Sequence, residues 1–505
     1  MNLSRGRVVA LFGPVIMLGY AICCGAQPAH GEDGVEARIA RITSSLQQPL
    51  VIEGQPVEHR TLDEAMRQHA VPAVSVAVID NGELAWARAW GVIEAGSNAP
   101  VTPETIFQAG SVSKPVAALL ALALVDDGVV ELDRPINEAL RSWKVPDNEF
   151  TRTRAVTLRH TITHQAGFTP FAYSKPRDGR QFPAMAALLA GGIDDWPAVG
   201  VEFVPGSRLA YSNSGYCVLQ LVLEDRSRQS LHQLATQLMF GPLKMGHSRF
   251  DDPISAALLA TAACGHRREP AADGQGQAAV PVEDKARIAP AATGGLWTTP
   301  TDLARLAIEV TRAWRGESEL LVSKQLARAF LTPQVENEGL GIYLQGEGPT
   351  LAARHGGAMT GFTTQLVFYP EAGKGVALMV NSEGQGAQIL ATELIATIAN
   401  EYAWPGYPVR RTLAPATPQQ LDELVGVYDA DFARNFTLSV TLKDGKAIGQ
   451  VNQHSPFEMQ PTTEADLFVV PTTSLEIVFR RGDDGRITGV VLRRAGDIGS
   501  AFSRK

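Results

Sequence analysis

The sequence predicts an α/β fold, a sandwich of helices on a sheet assembled from distant parts of the chain, followed by a small all-β domain. Three observations carry this expectation. Two β-rich runs, residues 73–79 and 84–90, stand before a mostly helical middle of about residues 156–313. Further β-rich runs follow that middle, at 339–345, 364–369 and 376–380, with an amphipathic helix at 389–402. A last train of short β-rich runs then closes the chain after several prolines.

Taken in order, the first element is a leader. Arg5 and Arg7 precede an apolar run from residue 8 to 26, and a polar stretch begins at Gln27. That is the layout of a secretory signal, with cleavage expected after Ala26 or Gly31, so residues 1–31 are assigned to a signal peptide. The mature protein is then periplasmic or secreted; only an uncleaved leader would tether it to a membrane. Of four cysteines, Cys217 and Cys264 would remain, too few for a disulfide framework, and Cys217 lies in the apolar run Tyr216-Cys217-Val218-Leu219 as a small buried hydrophobe would.

Thr61-Leu62-Asp63-Glu64 reads as a capping box opening a helix that stops before Pro72. Asp80-Asn81-Gly82-Glu83 between the first two β-rich runs reads as a hairpin turn. Residues 116–125 form an apolar stretch closed by Asp126-Asp127-Gly128, a buried helix with its C-terminal cap. Within the middle, residues 269–284 are rich in Ala, Gly, Pro and Gln and read as an exposed excursion. The larger first domain is expected over 32–412 and the β-domain, a barrel or sandwich, over 413–505, with strands at 436–442, 447–451, 467–470, 475–479 and 487–492.

Composition narrows the function. The chain has 505 residues, 45% hydrophobic and 19% charged, with a formal charge of -8; nothing in it builds a basic field for nucleic acid. Its ten histidines are scattered without an HExxH or HxH pair, so neither a metal nor a cofactor is expected.

Three short motifs carry chemistry. Ser111-Val112-Ser113-Lys114 starts the buried helix, where a spacing of three puts hydroxyl and amine on one face. Composition alone produces such a match about once in a chain this long, but a helix N-terminus also favours developing negative charge. Tyr211-Ser212-Asn213 precedes a second apolar helix; a tyrosine can carry a proton, and Asn213 can hold the lysine amine or a substrate amide. His355-Gly356-Gly357 stands before the strand at 364–369; its glycines allow substrate close to the backbone, with the Ala358 N–H as an oxyanion donor.

Their combination and order resemble the penicillin-binding-protein-like serine hydrolases: class C β-lactamases, D-Ala-D-Ala carboxypeptidases, D-aminopeptidases and esterases. The segments Val156-Thr157-Leu158-Arg159-His160-Thr161-Ile162-Thr163-His164-Gln165-Ala166-Gly167-Phe168, Phe240-Gly241-Pro242-Leu243-Lys244-Met245 and Gly294-Gly295-Leu296-Trp297-Thr298-Thr299-Pro300 are similar to further signatures of that family. The likeness runs from about residue 62 to 400.

The resemblance implies a mixed antiparallel sheet flanked by helices beside an all-helical lobe. It implies Ser111 as nucleophile, Lys114 and Tyr211 sharing the acid and base roles, Asn213 as positioner, and the Ser111 and Ala358 N–H groups as oxyanion hole. His355-Gly356-Gly357 departs from the Lys-Thr-Gly of the β-lactamases and carboxypeptidases, and Ala172 stands about where those β-lactamases place a glutamine. A neutral His355 holds a substrate carboxylate less well than a lysine does. The expected substrate is therefore a small ester or a D-amino-acid amide or peptide. A class C-like β-lactamase or D-Ala-D-Ala carboxypeptidase is the second enzymatic reading, and a non-catalytic sensor of peptidoglycan fragments the third.

Overall fold

The structure is a computed structural model and describes residues 32–169, 183–193, 196–250, 254–271, 276–282, 289–430, 436–497 and 499–505. The expected leader, Ala172 and residues 272–275 and 283–284 of the 269–284 segment lie outside them.

The chain enters through α1 (Glu32–Ser44) and α2 (Leu62–Gln68). Thr61 caps α2 by the expected reciprocal pair: the Glu64 N–H donates to Thr61 Oγ1 at 3.2 Å and the Thr61 N–H to Glu64 Oε2 at 2.8 Å. Next come β1 (Ala73–Asp80) and β2 (Glu83–Gly91), joined at Asn81 and Gly82. Both turn residues have positive φ, 53° and 76°, as a two-residue hairpin with right-handed strand twist requires.

The helical lobe follows, with α3 (Ser113–Asp126), α4 (Asn213–Ser227) and α5 (Pro300–Arg315) as its longest helices. The segment expected as an exposed excursion takes part in a hairpin, His266–Pro270 with Gln277–Pro281, and four residues of the first strand are exposed. Its composition is that of a loop; the ladder comes from pairing, which composition does not report.

The chain then returns to the sheet through β3 (Tyr343–Gln345), β4 (Ala352–Met359), β5 (Phe362–Tyr369) and β6 (Lys374–Val380), and ends the domain with α6 (Gly384–Glu401). The six strands lie in the order β3-β4-β5-β6-β1-β2, every neighbouring pair antiparallel. The early hairpin is thus stitched to the late strands through β6 and β1.

Alternation along β1 shows how the sheet divides two cores. Ala73, Ala77 and Ile79 face the core shared with α3, α4 and α5, while Val74, Val76 and Val78 face the one shared with α6. After Ser113 and Lys114, helix α3 is apolar on all sides to Val125 because it is enclosed: every residue from Ser113 to Leu124 is buried.

Residues 426–504 form a closed eight-stranded antiparallel barrel, filled by side chains such as Tyr428, Phe468, Phe479 and Phe502. Its strands include Gly426–Ala430, Phe457–Pro461 and Ser500–Arg504, which the pattern of apolar runs did not mark. The barrel is tied to the larger domain by a small core of Leu50, Ile52, Val469 and Ala495. It also reaches the six-stranded sheet: Arg354 on β4 donates to the Gly496 carbonyl and pairs with Asp497 at 3.3 Å. Among the described residues, no helix is long and apolar enough to cross a membrane.

Candidate active site

Ser111 lies in a single tight turn, Gly110–Val112, which feeds directly into α3. The turn is locked by Ser113, whose hydroxyl donates to the Gly110 carbonyl at 2.7 Å and accepts the Leu296 N–H at 3.0 Å. Ser111 itself stays partly exposed at the head of the helix, as the nucleophilic role expected of it requires.

One turn on, Lys114 is fully buried. Its Nζ stands 3.2 Å from Ser111 Oγ and donates to the Thr293 carbonyl at 2.7 Å. Among the described residues no carboxylate pairs with it, so burial pushes its pKa from 10.5 down to about 7. That displacement corresponds to about 5 kcal/mol of lost preference for the charged form. Fully burying the neighbouring Leu119, Leu120, Leu122 and Leu124 contributes about 2 kcal/mol each, enough to carry such a group inside.

Tyr211 approaches from the other side, its hydroxyl donating to Ser111 Oγ at 3.0 Å. Burial raises its pKa above the usual phenolic value, so it holds its proton at neutral pH. Asn213 is the first residue of α4 and partly exposed. Among the described residues no hydrogen bond joins it to Lys114; the lysine's second acceptor is the Thr293 carbonyl, which the sequence did not single out.

The remaining residues sit on a strand of their own. His355, Gly356, Gly357 and Ala358 belong to β4 and not to a loop before the next strand. A pair of glycines lowers strand propensity and hides the element from pattern reading. Their use is close approach: a Cβ on Gly357 would fall 2.0 Å from the Ala109 carbonyl oxygen, and one on Gly110 would fall 3.0 Å from the Ala358 nitrogen. The backbones beside Ser111 and Ala358 therefore press together. His355 is buried, donates from Nδ1 to the Gly356 carbonyl at 2.7 Å, and is pushed down to about 3 by burial and then by the nearby Lys114. It stays neutral at physiological pH.

A beta-lactamase family profile matches residues 59–400, more than half of the chain. The chain belongs to the beta-lactamase family. Penicillin-binding protein 4 of Amycolatopsis lactamdurans is 28% identical over 386 residues, 73% of this chain and 96% of that protein. Esterase EstB of Burkholderia gladioli is 28% identical over 195 residues, 36% of this chain and 48% of the esterase. Among solved structures, SurE superposes with a TM-score of 0.58 at 26% identity, covering 88% of this chain and 97% of SurE; a structure of SurE with D-Leu gives 0.54 at 25%, covering 88% and 97%.

In this serine hydrolase of the beta-lactamase family, the structure brings Ser111, Lys114 and Tyr211 into mutual contact and sets Ala358 beside the serine turn. What the sequence did not supply were the supports, the Thr293 carbonyl and the Ser113 hydroxyl. Only Ser113 had a signal, its place inside the motif Ser111–Lys114.

Proposed function

We propose that this hydrolase acylates Ser111 with small esters or D-amino-acid amides and peptides, and then releases the acyl group to water. The observation that carries the reading is the double contact on Ser111 Oγ from a lysine held near neutrality and a tyrosine that keeps its proton. Neutral Lys114 takes the serine proton along the 3.2 Å line while Oγ bonds to the substrate carbonyl carbon. The N–H groups of Ser111 and Ala358 receive the oxyanion. As the tetrahedral intermediate collapses, the bond to the leaving group breaks. The Lys114 ammonium and the Tyr211 hydroxyl are the proton sources that let the group depart. A water then repeats the sequence on the acyl-enzyme.

Substrate class follows from His355. A neutral imidazole offers a hydrogen bond where an ammonium would offer a full charge, so a carboxylate beside the scissile bond is not favoured. The likeness to an esterase and to SurE, solved with D-Leu, supports both halves of the proposed class. The leader expected from the sequence supports a periplasmic or secreted site for the reaction.

Intact-mass screening with a fluorophosphonate, p-nitrophenyl esters, D-amino-acid p-nitroanilides and a penicillin tests this directly. The expected result is a covalent adduct, absent in Ser111→Ala, with kcat/KM higher for a short ester or D-Ala-p-nitroanilide than for nitrocefin. Undiminished labelling of Ser111→Ala would falsify the nucleophile assignment, and efficient nitrocefin hydrolysis would return the β-lactamase reading to first place.

A further inference from the structure

Tyr211 lies just before α4, in a segment with no helical or strand ladder of its own to hold it. Its neighbours on both sides are tied to one residue. The Ala210 N–H donates to the His164 carbonyl at 2.8 Å, and the Ser212 N–H donates to His164 Nδ1 at 3.1 Å. Between those two anchors, the His164 ring lies over the Tyr211 ring with centroids 4.3 Å apart and planes tilted by 34°. Three contacts of different kinds therefore converge on one catalytic side chain: two backbone tethers and a ring face.

The histidine is fixed in its turn. It follows the helix Leu158–Ile162 with φ of 58°, in the left-handed region where few side chains other than Asn, Asp and His are tolerated. It is buried, and its ring also lies 5.3 Å from that of Tyr216, whose hydroxyl donates to the Ile162 carbonyl at 3.0 Å. Because Nδ1 accepts from a backbone N–H, that nitrogen carries no proton, and the neutral ring bears its hydrogen on Nε2. Burial, Lys114 and His355 all favour the same neutral form.

We propose that His164 is the positioning residue for Tyr211, holding the phenol at Ser111 Oγ by accepting the flanking backbone N–H groups and stacking on the ring. It touches no reacting atom, and the proposal rests on the reading of Tyr211 as a proton carrier. An ordinary core histidine would contribute to stability alone. A positioning residue contributes to the rate through Tyr211 and through nothing else.

The test is a double-mutant cycle, with fluorophosphonate acylation followed by intact mass and with kcat and KM for a p-nitrophenyl ester. His164→Leu removes the side-chain tether and the polar ring and is expected to slow acylation about a hundredfold, the loss that about an ångström of misplacement produces, with KM nearly unchanged. His164→Asn is expected to recover most of that rate, because its Oδ1 takes the place of Nδ1 and asparagine tolerates the left-handed backbone. In a Tyr211→Phe background the His164→Leu change is expected to cost almost nothing more. Where His164→Leu does not fold, His164→Gln, which keeps the polarity but displaces the acceptor, replaces it in the cycle. Full multiplication of the two losses, or an Asn variant as slow as the Leu or Gln variant, overturns the proposal. A Tyr211→Phe protein that acylates at the wild-type rate instead overturns the proton path, and the His164 assignment falls with it.

Discussion

Lys114 and Glu476 are both buried charged residues, and the molecule treats them in opposite ways. In the barrel, Glu476 is 1% exposed and meets two arginines, Arg411 at 2.7 Å and Arg493 at 2.8 Å. In the catalytic body, Lys114 is just as enclosed, yet it meets a carbonyl and a serine hydroxyl. The paired group has its charge matched by two guanidiniums, and it fastens the barrel to the short strand Val409–Arg411. The unpaired one cannot remain fully charged without paying for desolvation, and a pKa lowered to about 7 suits it to the base role proposed for it. Pairing makes structure; withholding the partner makes chemistry.

That contrast breaks if the two sites do not respond differently to mutation. The largest effect is expected at the lysine: Lys114→Ala should slow acylation by about two to four orders of magnitude, the range for a lost general base, read by the rate of serine labelling. Tyr211→Phe should fall within the same range toward its lower end, since Lys114 still takes the serine proton. Wild-type rates in both variants would remove the proposed proton path. At the barrel, Glu476→Gln should leave the labelling rate unchanged while lowering stability by about 2 kcal/mol, seen as an earlier denaturant midpoint. An activity loss without a stability loss there would reverse the comparison. The smallest expected effect is in specificity. His355→Lys should move the ratio of ester to nitrocefin turnover toward the carboxylate-bearing β-lactam, and a shift the other way would contradict the account of His355.

Much of this was legible in the sequence, because its strongest signals are local. The capping box at Thr61, the Asn81-Gly82 hairpin and the long apolar run of α3 each follow from residues a few positions apart. That Ser111, Lys114 and Tyr211 belong together was legible through spacing and order. What stayed hidden depends on contacts between distant segments. Strand β4 reads as loop because Gly356 and Gly357 weaken it, and only the Ala109 carbonyl, far away in sequence, explains why they must be glycine. Of residues 339–345, only Tyr343–Gln345 form a strand; a Cβ on Gly339 would lie 2.3 Å from the Phe330 carbonyl, a packing that periodicity cannot report. The Thr293 carbonyl is a backbone group, which no side-chain motif announces.

The central claim is that Ser111 is activated by a lysine that burial has brought close to neutrality. The pH dependence of Ser111 acylation, followed by intact mass between about pH 5 and pH 9, tests it most directly. Because Lys114 must be unprotonated to accept the serine proton, the rate should be low in acid, rise through an apparent pKa near about 7 and then level off. A rate that stays flat across that range, or falls as the pH rises through neutrality, would contradict it.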